Sequence, residues 1–147
     1  MRRLLCVFPV LVLLAACGGG DGDSNPISPT PTIPPQPFTV TDLRVGTGAE
    51  AVNGKRLTVH YALWFFSTTG TENKGQLVQT SVGSTPFSFV LGTNAVIAGW
   101  DQGLVGMKVG GVRRLVVPPA LAYGAAGQPP IPPNTNLVFE VELLDVQ

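Results

Sequence analysis

From Phe38 onward the chain alternates apolar and polar residues in runs that read as strands, interrupted by turn residues. Phe38-Thr39-Val40-Thr41-Asp42-Leu43-Arg44-Val45 alternates until Gly46-Thr47-Gly48 breaks it. Leu57, Val59, Tyr61, Leu63 and Phe65 form the apolar face of a longer strand whose other face carries Thr58, His60 and Ala62, the pattern of a half-buried strand. Ser67 to Gly75 is polar and glycine-bearing, a loop or hairpin tip, and short strands are predicted over 77–82 and 86–91. Gly110-Gly111 turns the chain into a strand over 112–117, which Pro118-Pro119 ends because proline has no amide to give to a ladder. Residues 120–134, with Tyr123-Gly124, Gly127 and four prolines, form a long loop of the kind that carries function. Leu137, Phe139, Val141 and Leu143 give the last strand a wholly apolar inner face, which predicts a central position.

One stretch departs from this period. In Val96 to Leu104, Ile97, Trp100 and Leu104 stand at i, i+3 and i+7, which predicts a short helix with one apolar face. Gly99 and Gly103 leave its other side thin enough for close backbone approach. Two turns of helix do not hold together alone in water, so a sheet must close over the apolar face. The predicted class is α+β, an antiparallel five- to six-stranded sheet wrapped around one short helix. On pattern alone Trp100 is the largest residue of that core.

Before the domain stand an address and a tether. Met1-Arg2-Arg3 followed by apolar residues 4–16 is a basic start with a hydrophobic run too short to span a bilayer, as in an export signal. Leu14-Ala15-Ala16-Cys17 resembles the bacterial lipobox, in which cleavage before the cysteine is followed by lipidation of its thiol. The alternative is an ordinary secretory signal beside an unrelated cysteine. The resemblance implies a signal peptide over 1–16, lipidation at Cys17, and anchoring in the cell envelope. Gly18 after the cysteine, in place of aspartate, points by analogy to the outer membrane. Cys6 leaves with the signal, so the mature chain has no thiol for a disulfide or a metal. Residues 17–37 bring glycines and then six prolines with little to bury, which predicts a disordered tether reaching roughly 60 Å. The domain is expected over 38–147, long enough for a stable core.

Charge identifies no partner. The full chain carries nine Lys and Arg against nine Asp and Glu, and nucleic acid is not expected. Arg113-Arg114 reads as part of a solvated strand face. His60, the only histidine, lies on the polar side of a strand. Nucleophile constellations, phosphate-cradling loops and His/Cys metal clusters are missing from the sequence, so neither cofactor nor metal is expected. Aromatic and aliphatic residues at strand ends and loops are what remains.

Val59-His60-Tyr61, Pro86-Phe87-Ser88-Phe89-Val90-Leu91-Gly92, Val96-Ile97-Ala98-Gly99-Trp100, Gly103-Leu104-Val105-Gly106-Met107, Leu121-Ala122-Tyr123-Gly124, Ile131-Pro132-Pro133-Asn134 and 137–144 are similar in type, order and spacing to the FK506-binding proteins, which are peptidyl-prolyl cis-trans isomerases. The resemblance covers 38–147. It implies a ligand pocket floored by Trp100, with Tyr61, Ile97, Tyr123 and Phe139 catalytic and Phe87, Val96, Val78, Gln79 and Ile131 binding substrate. Ile97 is expected to lend its backbone N–H to a substrate carbonyl and Tyr123 its hydroxyl. Without the resemblance each wall residue reads as plain core.

Rotation about an X–Pro bond faces a barrier of roughly 18–20 kcal/mol and breaks no bond. A twisted amide has less charge separation than a planar one, so a dry aromatic pocket with one or two donors favours the transition state. One segment departs from the family pattern. Val78-Gln79-Thr80-Ser81 stands where Phe-Asp-Ser-Ser is usual, after a longer insert, which leaves Trp64, Phe65 or Phe66 as candidates for the missing wall. Gln79 is able to hydrogen-bond Tyr61. Gln128 stands where some relatives have histidine. The implied partners are proline-containing unfolded or exported polypeptides and FK506-like macrolides, with the membrane reached through the lipid. A monomer is expected, because the tether replaces the helical region through which envelope relatives dimerise. Two other readings stay open: a slow binding or chaperone module, motivated by Val78 and Gln79, and a structural spacer.

Overall fold

The computed structural model describes residues 33–147. The expected signal, Cys17 and the tether up to residue 32 lie outside them. Six strands form one antiparallel sheet: β1 (Thr39–Arg44), β2 (Arg56–Phe66), β3 (Lys74–Thr80), β4 (Phe87–Val90), β5 (Val112–Val117) and β6 (Leu137–Val146), with the helix α1 (Ala98–Gly103) between β4 and β5. The order is β1-β5-β6-β2-β3, with β4 also paired to β2, so β6, whose inner face is wholly apolar, is central as its pattern predicts. Cross-strand partners set the site: Tyr61 faces Val141, Leu63 faces Phe139 on β6 and Gln79 on β3, and Val59 faces Phe87 on β4.

The inner face of the sheet buries Leu57, Val59, Leu115, Val117, Leu137 and Val141, and α1 lays Trp100 and Leu104 into it. Burial of each such side chain contributes about 1.5–3 kcal/mol. The two helix glycines are required by closeness: a Cβ on Gly99 stands 2.6 Å from Val117 Cγ1, and one on Gly103 stands 2.7 Å from Leu115 Cδ2. The helix is shorter than the predicted 96–104 because Ile97 is extended, with φ −58° and ψ 149°. Val96 and Ile97 therefore belong to the approach to the helix, and that matters for the site.

Arg113 and Arg114 are not a solvated face. Arg113 binds Asp42 at 2.6 Å and donates to the carbonyls of Gly103 at 2.8 Å and Val105 at 3.1 Å, capping the end of α1. Arg114 pairs with Glu140 at 2.9 Å and with Glu72 at 2.7 Å, and Lys74 pairs with the same two carboxylates. Glu72 sits at the tip of the 67–75 insert, and the Arg114 guanidinium, with Lys74 beside it, pulls its carboxyl down to about 2. Opposite charges thus fold the insert over the outer face of the sheet, so that β3 starts at Lys74 rather than at Leu77.

The last residues of the expected tether, 33–37, lie within the described part of the chain. Buried Asn136, 4% exposed, donates from Nδ2 to the carbonyls of Ile33 at 3.2 Å and Pro34 at 3.0 Å, and its Oδ1 accepts from the Gln36 N–H at 2.8 Å. Residues 33–37, read from composition as disordered, are held against the start of β6. One amide side chain satisfies three backbone groups of a proline-rich stretch that has few N–H donors of its own.

Candidate active site

A cavity of about 480 Å³ opens between α1, β2, β3, β4 and the loop after β5. Its lining comprises Tyr61 and Leu63 from β2, Gln79 from β3, Phe87 from β4, Ala95, Val96 and Ile97 before α1, Trp100, Tyr123 and Gln128, and Phe139 from β6. The volume suits a short peptide segment or a drug-sized ligand.

Trp100 is the hub. Its ring stands edge-on to Tyr61 at 5.4 Å and 77°, to Phe139 at 5.5 Å and 82°, and to Phe87 at 6.2 Å and 73°. Phe89, buried beneath, stacks on Phe87 at 5.7 Å and tilts against Trp100 at 5.5 Å. Such pairs contribute about 0.5–1.5 kcal/mol each beyond their buried area. The indole N–H of Trp100 is buried without a nitrogen or oxygen partner among the described residues.

The polar groups of the cavity are few and neutral. Burial pushes the Tyr61 phenol above its ordinary value, and burial with the nearby Tyr61 does the same to Tyr123. Both hydroxyls therefore keep their protons near neutral pH and are able to donate. Gln79 and Gln128 add amides. The Ile97 carbonyl accepts from Trp100 N–H at 2.9 Å, while the Ile97 N–H has no partner among the described residues. An unpaired backbone donor at the edge of an apolar cavity is a group that a peptide carbonyl satisfies. Among the described residues no group of His, Cys, Asp and Glu is placed to hold a metal ion.

The structure brings Tyr61, Phe87, Val96, Ile97, Trp100, Tyr123, Phe139 and Gln79 around one space. Val78 and Ile131 are not in its lining. The β2–β3 register shifts between Leu63 and Trp64, opposite Gln79 and Leu77, and Val78 in that irregularity packs partly buried on the core instead. Ile131, 7% exposed, is a core residue held by reciprocal backbone hydrogen bonds with Gln128. Trp64 does not supply the missing wall: the Lys74 ammonium covers its ring at 4.7 Å. Phe66 lines a separate groove with Arg114 and Glu72, and Phe65 packs on the core without reaching the cavity. No hydrogen bond joins Gln79 to Tyr61 among the described residues. Leu63, Ala95 and Gln128 line the cavity without having been named as site residues. The alternation that marks Tyr61 as inward also marks Leu63, whereas Ala95 gives no signal.

Comparison with known proteins agrees with this geometry. A family model described as FKBP-type peptidyl-prolyl cis-trans isomerase matches residues 48–144. The chain is 45% identical over 108 residues to the FK506-binding protein of Neisseria meningitidis serogroup A, covering 73% of this chain and 94% of that protein. It is 43% identical over 120 residues to FK506-binding protein 4 of Neurospora crassa, covering 81% of this chain but 24% of that protein. The chain thus spans about a quarter of the length of several curated relatives it matches. The crystal structure of FkpA from Escherichia coli superposes with TM-score 0.64 at 39% identity, over 75% of this chain and 48% of that one. The crystal structure of AtFKBP13 gives TM-score 0.66 at 33% identity, over 79% of this chain and 98% of that one.

Proposed function

Because this chain belongs to the FKBP-type peptidyl-prolyl cis-trans isomerase family, we propose that its cavity rotates X–Pro bonds of polypeptide substrates. The observation that carries the reading is the aromatic cavity around Trp100, with its donors at the rim and no carboxylate or ammonium in its lining. An X–Pro segment enters with the proline ring against Trp100, and apolar residues before proline suit the Phe87, Val96 and Phe139 walls. The Ile97 N–H takes a substrate carbonyl and Tyr123 donates a second hydrogen bond. As the amide twists it loses resonance and charge separation, so walls that replace water disfavour the planar ground state more than the twisted state. Each 1.36 kcal/mol of that difference gives about tenfold in rate. No proton changes place.

We further propose that the substrates are exported proteins. Met1 to Ala16 supports export, and Leu14-Ala15-Ala16-Cys17 supports a lipid-anchored domain in the cell envelope, in the outer membrane by analogy with Gly18. Mass spectrometry of native protein tests this: a diacylglyceryl-modified Cys17 at the N-terminus is expected, and an unmodified Cys17 or cleavage elsewhere overturns it. The domain acts as a monomer that accepts FK506-like ligands, and light scattering that finds a stable dimer at micromolar concentration refutes the first half of that statement.

Gln79 favours a second reading, a binding module with slow turnover, because it leaves the cavity without the acidic residue usual in the family. Exchange spectroscopy of a proline tetrapeptide, run beside binding of the same peptide, separates the two. Catalysed exchange supports the isomerase; saturable binding without catalysed exchange supports the module.

A further inference from the structure

The loop 92–97 leaves β4 and carries Ala95, Val96 and Ile97 to the cavity. Its own backbone does little to hold it. Leu91 N–H is taken by Lys55 at 2.9 Å, and the next residues whose N–H groups find backbone partners are Trp100 and Asp101, both on the Ile97 carbonyl. Between them lie two left-handed residues, Gly92 at φ 79° and Asn94 at φ 58°. Glycine and asparagine both enter that region readily, but nothing in the loop's own backbone hydrogen bonding selects it, so an outside contact must fix it.

The group that fixes it is Asp101. Its Oδ1 accepts from the Gly92 N–H at 2.8 Å and its Oδ2 from the Asn94 N–H at 3.0 Å. Thr93 adds a bond from its own hydroxyl to the Val90 carbonyl at 2.9 Å, within the same turn. Asp101 follows Trp100 on α1, so a single carboxylate ties the rim of the cavity to the helix that supplies its floor. Two acceptor oxygens on two N–H groups fix both the distance and the twist of the loop, which one bond cannot do. The Ile97 N–H at the end of this loop is a backbone donor at the cavity without a partner among the described residues.

We propose that Asp101 is a positioning residue for prolyl isomerisation: its carboxylate sets the loop so that the Ile97 N–H and the Val96 wall meet the substrate backbone. This inference rests on the isomerase reading above. A bond to a carbonyl outside the rotating amide is the same in the ground and transition states, so its loss raises KM and spares kcat.

The test uses the full chain with Asp101→Asn, Asp101→Ala and Asp101→Glu, a proline tetrapeptide as substrate, and amide hydrogen exchange as a readout independent of catalysis. Asparagine keeps one acceptor oxygen and turns an NH2 toward the second N–H, so it breaks half of the brace even where the alanine variant fails to fold. The expected result for Asp101→Asn is KM raised about tenfold with kcat within about twofold, faster exchange at Gly92 or Asn94, and recovery of most of the loss in Asp101→Glu. Wild-type KM in folded Asp101→Asn and Asp101→Ala, with only a lower Tm, overturns the positioning role and leaves the isomerase reading intact. A wild-type chain that neither catalyses exchange nor binds the peptide overturns the isomerase reading, and this inference with it.

Discussion

Tyr61→Phe separates function from folding at this site better than any change to Trp100 or Phe139. The Tyr61 ring contacts Trp100 at 5.4 Å and Phe87 at 6.2 Å, and phenylalanine retains both contacts. The hydroxyl makes no hydrogen bond among the described residues, so its removal leaves no buried partner unsatisfied, and stability should change by no more than about 0.5 kcal/mol. If the hydroxyl donates to the substrate as the amide twists, the loss is that of one neutral hydrogen bond, about 0.5–1.5 kcal/mol. At 1.36 kcal/mol per decade this is roughly a 2- to 13-fold fall in kcat/KM. By contrast Trp100→Ala or Phe139→Ala removes core as well as cavity and costs about 3–5 kcal/mol of stability, so lost activity there says little. The assay is catalysed cis-trans exchange of a proline tetrapeptide near 10 °C, where the uncatalysed process takes minutes, with urea unfolding in parallel. A kcat/KM unchanged in a variant of unchanged stability refutes a donor role for Tyr61.

Four further outcomes follow from the structure. Since Tyr61 and Tyr123 are the titratable groups of the lining and burial raises both above 10.0, kcat/KM should stay flat between about pH 5 and 9; the unfolded chain releases these protons first, so stability falls as pH rises past 10, and a bell-shaped profile near neutrality contradicts this reading. Gln79→Asp places a carboxylate in the lining that Gln79 shares with Tyr61 and should raise kcat/KM only above about pH 5, where the new group ionises, whereas Val78→Phe lengthens a side chain packed on the core and should lower stability by about 1–3 kcal/mol with KM unchanged, both read by exchange rates and urea unfolding. Asn136→Ala removes three hydrogen bonds to residues 33–36 and should cost about 2 kcal/mol while accelerating amide exchange at Gln36; wild-type protection at Gln36 contradicts the clamp.

The fold was largely legible because its strands alternate and its helix does not. The apolar face of Leu137, Phe139, Val141 and Leu143 predicts a central strand, and β6 is flanked by β5 and β2. Gly99 and Gly103 predict close approach of helix and sheet, and side chains of Val117 and Leu115 occupy the space a Cβ needs. The insert was less legible. Its polar composition reads as an open loop, but opposite charges on β5 and β6 draw Glu72 and Lys74 down onto the sheet, and pairing across strands far apart in sequence leaves no local pattern.

The site divides along the same physical line. Residues placed by strand period or by the helix start, such as Tyr61, Trp100 and Phe139, meet around the cavity, because a period of two or of 3.6 fixes which way a side chain points. Val78 escapes that rule at an irregularity in the β2–β3 pairing, where a shifted register re-aims the chain and puts Gln79 alone at the cavity edge. Ile131 escapes it because a loop has no period, and the turn it closes with Gln128 draws it into the core while leaving the Gln128 side chain to the cavity. Asp101 and Asn136 share a further reason for going unseen. Each is a lone polar residue whose work is to satisfy backbone groups on a separate segment, seven to nine residues away for Asp101 and about a hundred for Asn136. Hydrophobic patterning reports which side chains leave water and says nothing of which carboxylate or amide closes a loop, so polar braces of this kind emerge only once the backbone hydrogen bonds are accounted for one by one.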